Sequence, residues 1–203
     1  TANYDDLDSS GANILGRYQQ EFSGGSALTV QAYYDYNDRD DEFLRQTFNT
    51  LDLEVQYETS LGARNAVTMG TGYRRIDGEF EPTTQFQVAD STDDLFNVFL
   101  QDEIRLIDDK MWLTLGVKWE HNDYTGAEWQ PSGRLLYKPA DNHSLWGSVA
   151  RAVRTPSILE QKGRLLAAVT PTPFGAMSVA FRGNENFESE IVVAYEMGYR
   201  WQV

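Results

Sequence analysis

Residues 131–160 read P-S-G-R-L-L-Y-K-P-A-D-N-H-S-L-W-G-S-V-A-R-A-V-R-T-P-S-I-L-E. Gly133, Leu135 and Tyr137 share one parity, and Ser132, Arg134 and Leu136 the other. Pro139-Ala140-Asp141-Asn142 is a turn cluster. Beyond it Leu145, Gly147 and Val149 face one way and Trp146, Ser148 and Ala150 the other. The run exits abruptly at Arg154-Thr155-Pro156. A period of two on both sides of a turn is the signature of a β-hairpin. This hairpin sets the reading of everything around it.

The same alternation recurs along the chain. Strands are predicted at about 13–22, 27–37, 47–60, 66–76, 94–106, 111–121 and 190–203, besides the hairpin, about nine in all. Each has an apolar face, such as Leu51, Leu53, Val55 and Tyr57, against a polar one, such as Asp52, Glu54, Gln56 and Glu58. Connections alternate in length. Short turns are predicted at 23–26, 61–65, 107–110 and 139–142. Longer loops are predicted at 38–46, 77–93, 122–128 and 152–189, with residues 1–12 also read as loop. Asp102 is the exception to the pattern, because it shares the parity of Phe96, Val98, Leu100 and Ile104.

Composition removes several function classes. The 203 residues carry a net charge of −14, the opposite of the basic face that nucleic-acid binding needs. The acidity concentrates between strands, at Asp5, Asp6 and Asp8, at Asp38, Asp40, Asp41 and Glu42, and at Asp90, Asp93 and Asp94. There is no cysteine, so disulfides and thiolate metal sites are excluded. No run approaches the roughly 18 apolar residues of a membrane helix, although a membrane β-barrel needs none. The two histidines, His121 and His143, lie at different connections, and no HExxH or GxSxG motif is present. Neither an enzyme nor a resident cofactor is implied.

Residues 145–157, L-W-G-S-V-A-R-A-V-R-T-P-S, resemble a strand-and-exit motif of the TonB-dependent outer-membrane receptors. A second resemblance runs from Gly183-Asn184-Glu185-Asn186-Phe187-Glu188-Ser189-Glu190 into Ala194-Tyr195-Glu196-Met197-Gly198-Tyr199-Arg200. Phe187 and Ser189 stand there where the family usually has Leu and Pro. A weaker third match is Phe99 to Glu103 with Leu113 to Glu120. These matches cover about the second half of the chain.

The resemblance implies an all-β fold, an antiparallel transmembrane β-barrel in the bacterial outer membrane, of which this chain supplies about nine strands. Plugged transporters of this kind have 22 strands, and nine strands in 203 residues scale to roughly 500 for that number. The chain is therefore expected to be a partial barrel domain, residues 1–203, with the plug and the TonB-contacting segment outside it. The implied function is energy-coupled uptake of a scarce ligand, a ferric siderophore first, with haem, cobalamin and oligosaccharides as alternatives. The implied partners are that ligand, the TonB complex and outer-membrane lipid. Guanidinium groups and aromatic rings in the long loops suit an anionic, aromatic chelate, so the candidate ligand-binding residues are Arg151, Arg154, Arg164, Phe174, Phe181 and Arg182. The competing reading of Arg151 and Arg154 is structural: they end a strand and pair with Glu160 or with loop aspartates. The competing reading of the whole is a soluble acidic β-sandwich or barrel, for instance a carbohydrate-binding module, with its Leu/Val/Tyr faces buried.

Overall fold

In the computed structural model, residues 7–40, 44–83 and 85–202 are described. The acidic residues Asp5, Asp6, Asp41 and Glu42 lie outside them. Nine strands form one antiparallel sheet, each hydrogen-bonded to its neighbour in the order β1-β2-β3-β4-β6-β7-β8-β9-β12. Their ranges are β1 Asp8–Glu21, β2 Ala27–Asp40, β3 Arg45–Leu61, β4 Asn65–Glu81, β6 Ser91–Ile107, β7 Met111–Asn122, β8 Gly126–Ala140, β9 His143–Arg154 and β12 Glu190–Trp201. A second, three-stranded sheet is made from β5, Phe86–Gln87, and a hairpin of β10, Arg164–Thr172, and β11, Gly175–Arg182. One short helix, α1, spans Ile158–Lys162.

The register sorts side chains into rows that cross the large sheet. One row is Tyr18, Val30, Val55, Thr71, Val98, Trp119 and Trp129. The next, one residue along each strand, is Arg17, Gln31, Glu54, Gly72, Asn97, Glu120 and Glu128. Alternation along each strand therefore becomes two continuous faces, one apolar and one polar.

Exposure decides which face is outward, a point that parity alone leaves open. Leu100 is 48% exposed and Met197 89%, whereas Glu120 and Glu128 on the polar face are each 8% exposed. Among the described residues the buried apolar side chains are few: Val67, Phe80, Val88 and Pro156. A soluble sandwich would cover its apolar face with a second layer. Here that face is bare among the described residues, and the most sheltered carboxylates, Glu120 and Glu128, lie on the polar face.

Several predicted loops are strand instead. β1 begins at Asp8 and pairs Asp8 with Asp40, within what the sequence suggested was loop. β4 runs on to Glu81 and β6 starts at Ser91, so the connection predicted at 77–93 shrinks by half. Only Asp123, Tyr124 and Thr125 separate β7 from β8. The Asn122 side chain accepts from the N–H groups of Tyr124 and Thr125 at 3.0 and 2.8 Å, and Gly126 supplies the positive φ that the turn needs. The predicted loop at 152–189 holds α1 and the β10–β11 hairpin.

The strands are longer than a bilayer requires. β4 has 17 residues, about 56 Å of extended chain, where 9–11 tilted residues suffice to cross. The β1–β2, β3–β4, β6–β7 and β8–β9 turns share one end of the sheet, while the β7–β8 turn and the β4–β6 and β9–β12 connections lie at the other. The surplus length lies at that second end, together with the small sheet and α1.

Candidate functional site

The polar face carries a charge-paired wall. The Arg74 Nε donates to Asp52 at 2.7 Å, Lys118 donates to Glu120 at 2.7 Å, and the Arg17 Nε donates to Gln31 at 2.9 Å. Asp52, Glu54, Arg74, Asn97, Lys118 and Glu120 line an open cleft of about 380 Å³. Gly70 lies under the Phe99 ring, where a Cβ would meet ring carbons at 2.6 Å, and Gly72 lies under the Asn97 amide. This wall is hydrophilic, and two of its carboxylates, Asp52 and Glu120, are hydrogen-bonded to cations.

Above the wall, Pro131 decides the local geometry. It has no N–H for a ladder, and the β8–β9 pairing runs no higher than Ser132 opposite Ala150. Above that point β8 continues with β7 and β9 continues with β12. The Arg151 guanidinium enters the gap, donating to the Trp129 carbonyl and lying 3.6 Å from the Glu128 carboxylate. Ser189 donates to the other Glu128 oxygen at 2.6 Å. Glu128 stands directly opposite Glu120 in the register, and Arg151 and Lys118 offset the two like charges.

Arg154 holds the neck of the long connection. It contacts Glu160 at 2.6 Å, just after the chain leaves β9, and Glu190 at 3.5 Å, where the chain returns. Ser157 caps α1 in a reciprocal box with Glu160. Hydrogen bonds from Ser157, first from its backbone N–H and then from its hydroxyl, hold the Glu160 carboxyl below the usual carboxylate range, with Arg154 adding to the effect. Gly183 N–H donates to the Gly163 carbonyl at 2.7 Å and closes the neck. Buried Gln161 reaches the Tyr124 carbonyl at 3.5 Å, tying α1 to the β7–β8 turn. Burial and the Asp93 carboxylate push the Tyr124 hydroxyl up from its ordinary range.

Beyond the neck, the β10–β11 hairpin is docked on β5. Arg164 stands opposite Gln87, Leu165 opposite Phe86, and the Leu166 N–H donates to the Gln85 carbonyl at 2.7 Å. Two connections that leave the sheet at different strands are thereby joined.

The six sequence-predicted residues do not form one cluster. Arg151 and Arg154 hold carboxylates at the top of β9, and Arg154 does pair with Glu160 as the structural alternative supposed. Arg151 pairs with Glu128, a strand residue rather than a loop aspartate. Arg164 and Arg182 face each other at the base of the hairpin, and Phe181 is the neighbour of Arg182 on the opposite face. Phe174 sits at the hairpin tip, fully exposed, beyond the nine-residue strand that begins at Arg164 and so roughly 30 Å from it. The sequence reading missed Gln87, Gln161 and Glu128. Only Glu128 carried a signal, its parity with the polar face.

A bare apolar face on one side and a charge-paired polar face on the other suit the wall of a membrane β-barrel. A family model described as TonB dependent receptor-like, beta-barrel, matches residues 1–203, and the chain belongs to that family. The ferric enterobactin receptor of Pseudomonas aeruginosa is 30% identical over 165 residues, covering 73% of this chain and 22% of that receptor. The chain thus spans about a fifth of that relative's length. Among solved structures, the siderophore receptor PirA from Pseudomonas aeruginosa superposes with a TM-score of 0.81 at 18% identity, over 97% of this chain and 37% of that one. The ferric enterobactin receptor PfeA from the same organism gives 0.80 at 20% identity, over 97% and 33%. At these identities the structural likeness concerns the fold.

Proposed function

We propose that this chain is part of an outer-membrane receptor that takes up a ferric siderophore by TonB-dependent transport. The observation that carries the reading is the sheet with one bare apolar face and one polar face, its long connections joined to each other at one end. Membership of the TonB-dependent receptor family and the similarity to a ferric enterobactin receptor support it. The outer edges of β1 and β12 are unpaired within this sheet. They would pair with further strands of a larger barrel, because bare edges of this length invite aggregation. The polar wall would then face a plug, and the joined connections would meet the ligand. Transport on this reading makes and breaks no covalent bond.

The test uses the full-length receptor in iron-starved cells of its source. Radiolabelled iron is supplied as ferric enterobactin, and uptake is compared with and without the receptor and with and without TonB. Uptake that requires both supports the proposal. Recovery of the protein in a soluble fraction, detected with an antibody to residues 152–189, would sink it. Receptor-dependent entry that ignores TonB would sink the coupling.

A further inference from the structure

The apolar face carries a hollow where two glycines meet. Gly133 on β8 and Gly147 on β9 are diagonal neighbours on that face, Gly133 opposite Val149 and Leu135 opposite Gly147. Met197 of β12 is the partner of Gly147 on its other side. A Cβ on Gly147 would meet only the Glu196 carbonyl at 3.7 Å, and one on Gly133 only the Leu115 and Val149 side chains at 3.6 and 4.0 Å. The missing side chains leave an open cleft of about 410 Å³ around Gly147, walled by Leu135, Tyr137, Leu145, Met197 and Tyr199.

The cleft leads to a set of rings at the β8–β9 turn. The His143 and Tyr199 rings stack with centres 5.9 Å apart and the His143 and Trp201 rings at 6.1 Å. The His143 Nδ1 lies 2.7 Å from the Tyr199 hydroxyl. His143, Tyr199 and Trp201 share the parity of Leu145 and Met197, so all three stand on the apolar face. With the Tyr199 hydroxyl donating to Nδ1, the imidazole keeps a proton on Nε2, and the Trp201 indole adds a second N–H. Tyr and Trp favour this place at a membrane–water boundary. Gly147 stands four residues from His143 on β9, about 13 Å of strand, which fits within the roughly 15 Å of one leaflet's hydrocarbon. Over that stretch β8, β9 and β12 put no Asp, Glu, Lys or Arg on the apolar face. Lys138, where the ladder bulges, holds its ammonium 5.2 Å from the Trp112 ring centre.

Resting on the reading of this chain as an outer-membrane barrel wall, we infer that the cleft and the rings form a site for one glycerophospholipid of the periplasmic leaflet. An acyl chain lies over Gly147 and Gly133, against Leu135, Leu145 and Met197, and fills the space of the two missing side chains. The phosphate accepts from the His143 Nε2–H and the Trp201 indole N–H. A rim without a cation offers an anionic headgroup no counter-charge, whereas exposed ring faces attract an ammonium. The occupant is therefore zwitterionic, a phosphatidylethanolamine. The site lies at the opposite end of the sheet from the long connections and on the opposite face from the polar wall, so the transported ligand does not meet it.

The test is native mass spectrometry of the purified full-length receptor in detergent, titrated with phosphatidylethanolamine or with phosphatidylglycerol of the same acyl chains. The wild type should bind a first phosphatidylethanolamine about tenfold more tightly than a second, and more tightly than phosphatidylglycerol. Gly147→Leu fills the hollow and should weaken the first binding by about tenfold, the loss of roughly two buried methylene groups. Gly133→Val fills its other end and serves if the leucine variant does not assemble. His143→Phe keeps the ring and removes its N–H, and should cost about fivefold, one hydrogen bond. Val117→Leu adds bulk to the same face outside the cleft and should bind as the wild type does. Heat-modifiable mobility on a gel identifies the folded variants. Unchanged first binding in the glycine variants would overturn the site. So would affinities that are alike at every step, the mark of annular lipid only, or a preference for phosphatidylglycerol that survives His143→Phe. A receptor that stays in solution without detergent would remove the barrel reading, and the site with it. A detergent-bound, heat-modifiable receptor with no first-lipid preference would remove the site alone.

Discussion

Trp146 lies across Gly198. A Cβ placed on Gly198 would fall 2.5 Å from the indole. The two residues are opposite each other on the polar face, on β9 and β12. From the neighbouring strand, the Arg134 guanidinium sits 5.4 Å from the Trp146 ring centre. An aromatic ring laid over a strand glycine restores the packing that the missing side chain forgoes. It also fixes the ring for the cation above it.

Gly198→Ala should therefore displace the indole and destabilise the barrel by about 1–3 kcal/mol, the usual cost of overpacking. Gly147→Ala is the control, since a Cβ there meets only the Glu196 carbonyl at 3.7 Å. Urea unfolding in lipid vesicles, followed by tryptophan fluorescence, compares them. Equal stability for both variants would mean that the indole has room to move aside.

The assignment of faces makes a sharper prediction. Leu100 and Gln101 are neighbours on β6, the first on the bare apolar face and the second on the polar one. Leu100→Arg should cost about 2–4 kcal/mol, the penalty for a cation on the lipid side near mid-bilayer. Gln101→Arg should be tolerated. Assembly into the outer membrane, read as heat-modifiable mobility on a gel, should fail for the first and persist for the second. The reverse result would turn the sheet inside out.

Both faces were legible in the sequence because a bilayer enforces a strict period of two on whatever spans it. Legibility failed where that constraint ends. In β1, Asp8-Ser9-Ser10-Gly11 is strand, yet no apolar face marks it, because side chains there are exposed on both sides. β10 reads Arg164-Leu165-Leu166-Ala167-Ala168-Val169 without alternation, and its register shifts between Leu166 and Ala168. Its hydrogen bonds to β5 join residues about 80 positions apart. The candidate arginines were visible as residue types, but not their partners. Arg154 meets Glu190 only because 35 intervening residues return to the same register, and nothing local encodes that return.

The Arg154 clamp predicts a pH dependence confined to the neck. The Glu160 carboxyl is held below its ordinary range in the folded state. The stabilisation it gives is present above the unfolded carboxylate pKa of about 4.3 and is lost as pH falls through the lower folded value. Amide exchange at residues 158–162 should speed up below that range while the β-ladder amides stay protected. Glu160→Gln should remove the pH dependence and leave the neck more open at neutral pH. Arg154→Met should expose the connection to protease, because the same guanidinium also holds Glu190. A neck that resists protease in the methionine variant would show that the Gly163–Gly183 and α1 contacts suffice without it.

Asp102 tests the same physics from the other side. It stands on the apolar face between Val67 and Leu115, five residues from the end of β6 at the short-turn edge. One carboxylate oxygen accepts from the Asn65 amide at 2.6 Å, and the other is buried without a partner. The Asn65 bond answers how a carboxylate is tolerated there, but the second oxygen remains unsatisfied. Asp102→Asn keeps an acceptor for Asn65 and removes the charge, so it should stabilise the barrel by about 1 kcal/mol. Asp102→Leu with Asn65→Leu removes both partners together and should be neutral or better. Unfolding free energies in vesicles decide between these outcomes and a loss of stability in both variants. Such a loss would mean that the negative charge itself is required, by a cationic lipid headgroup or another protein at that edge.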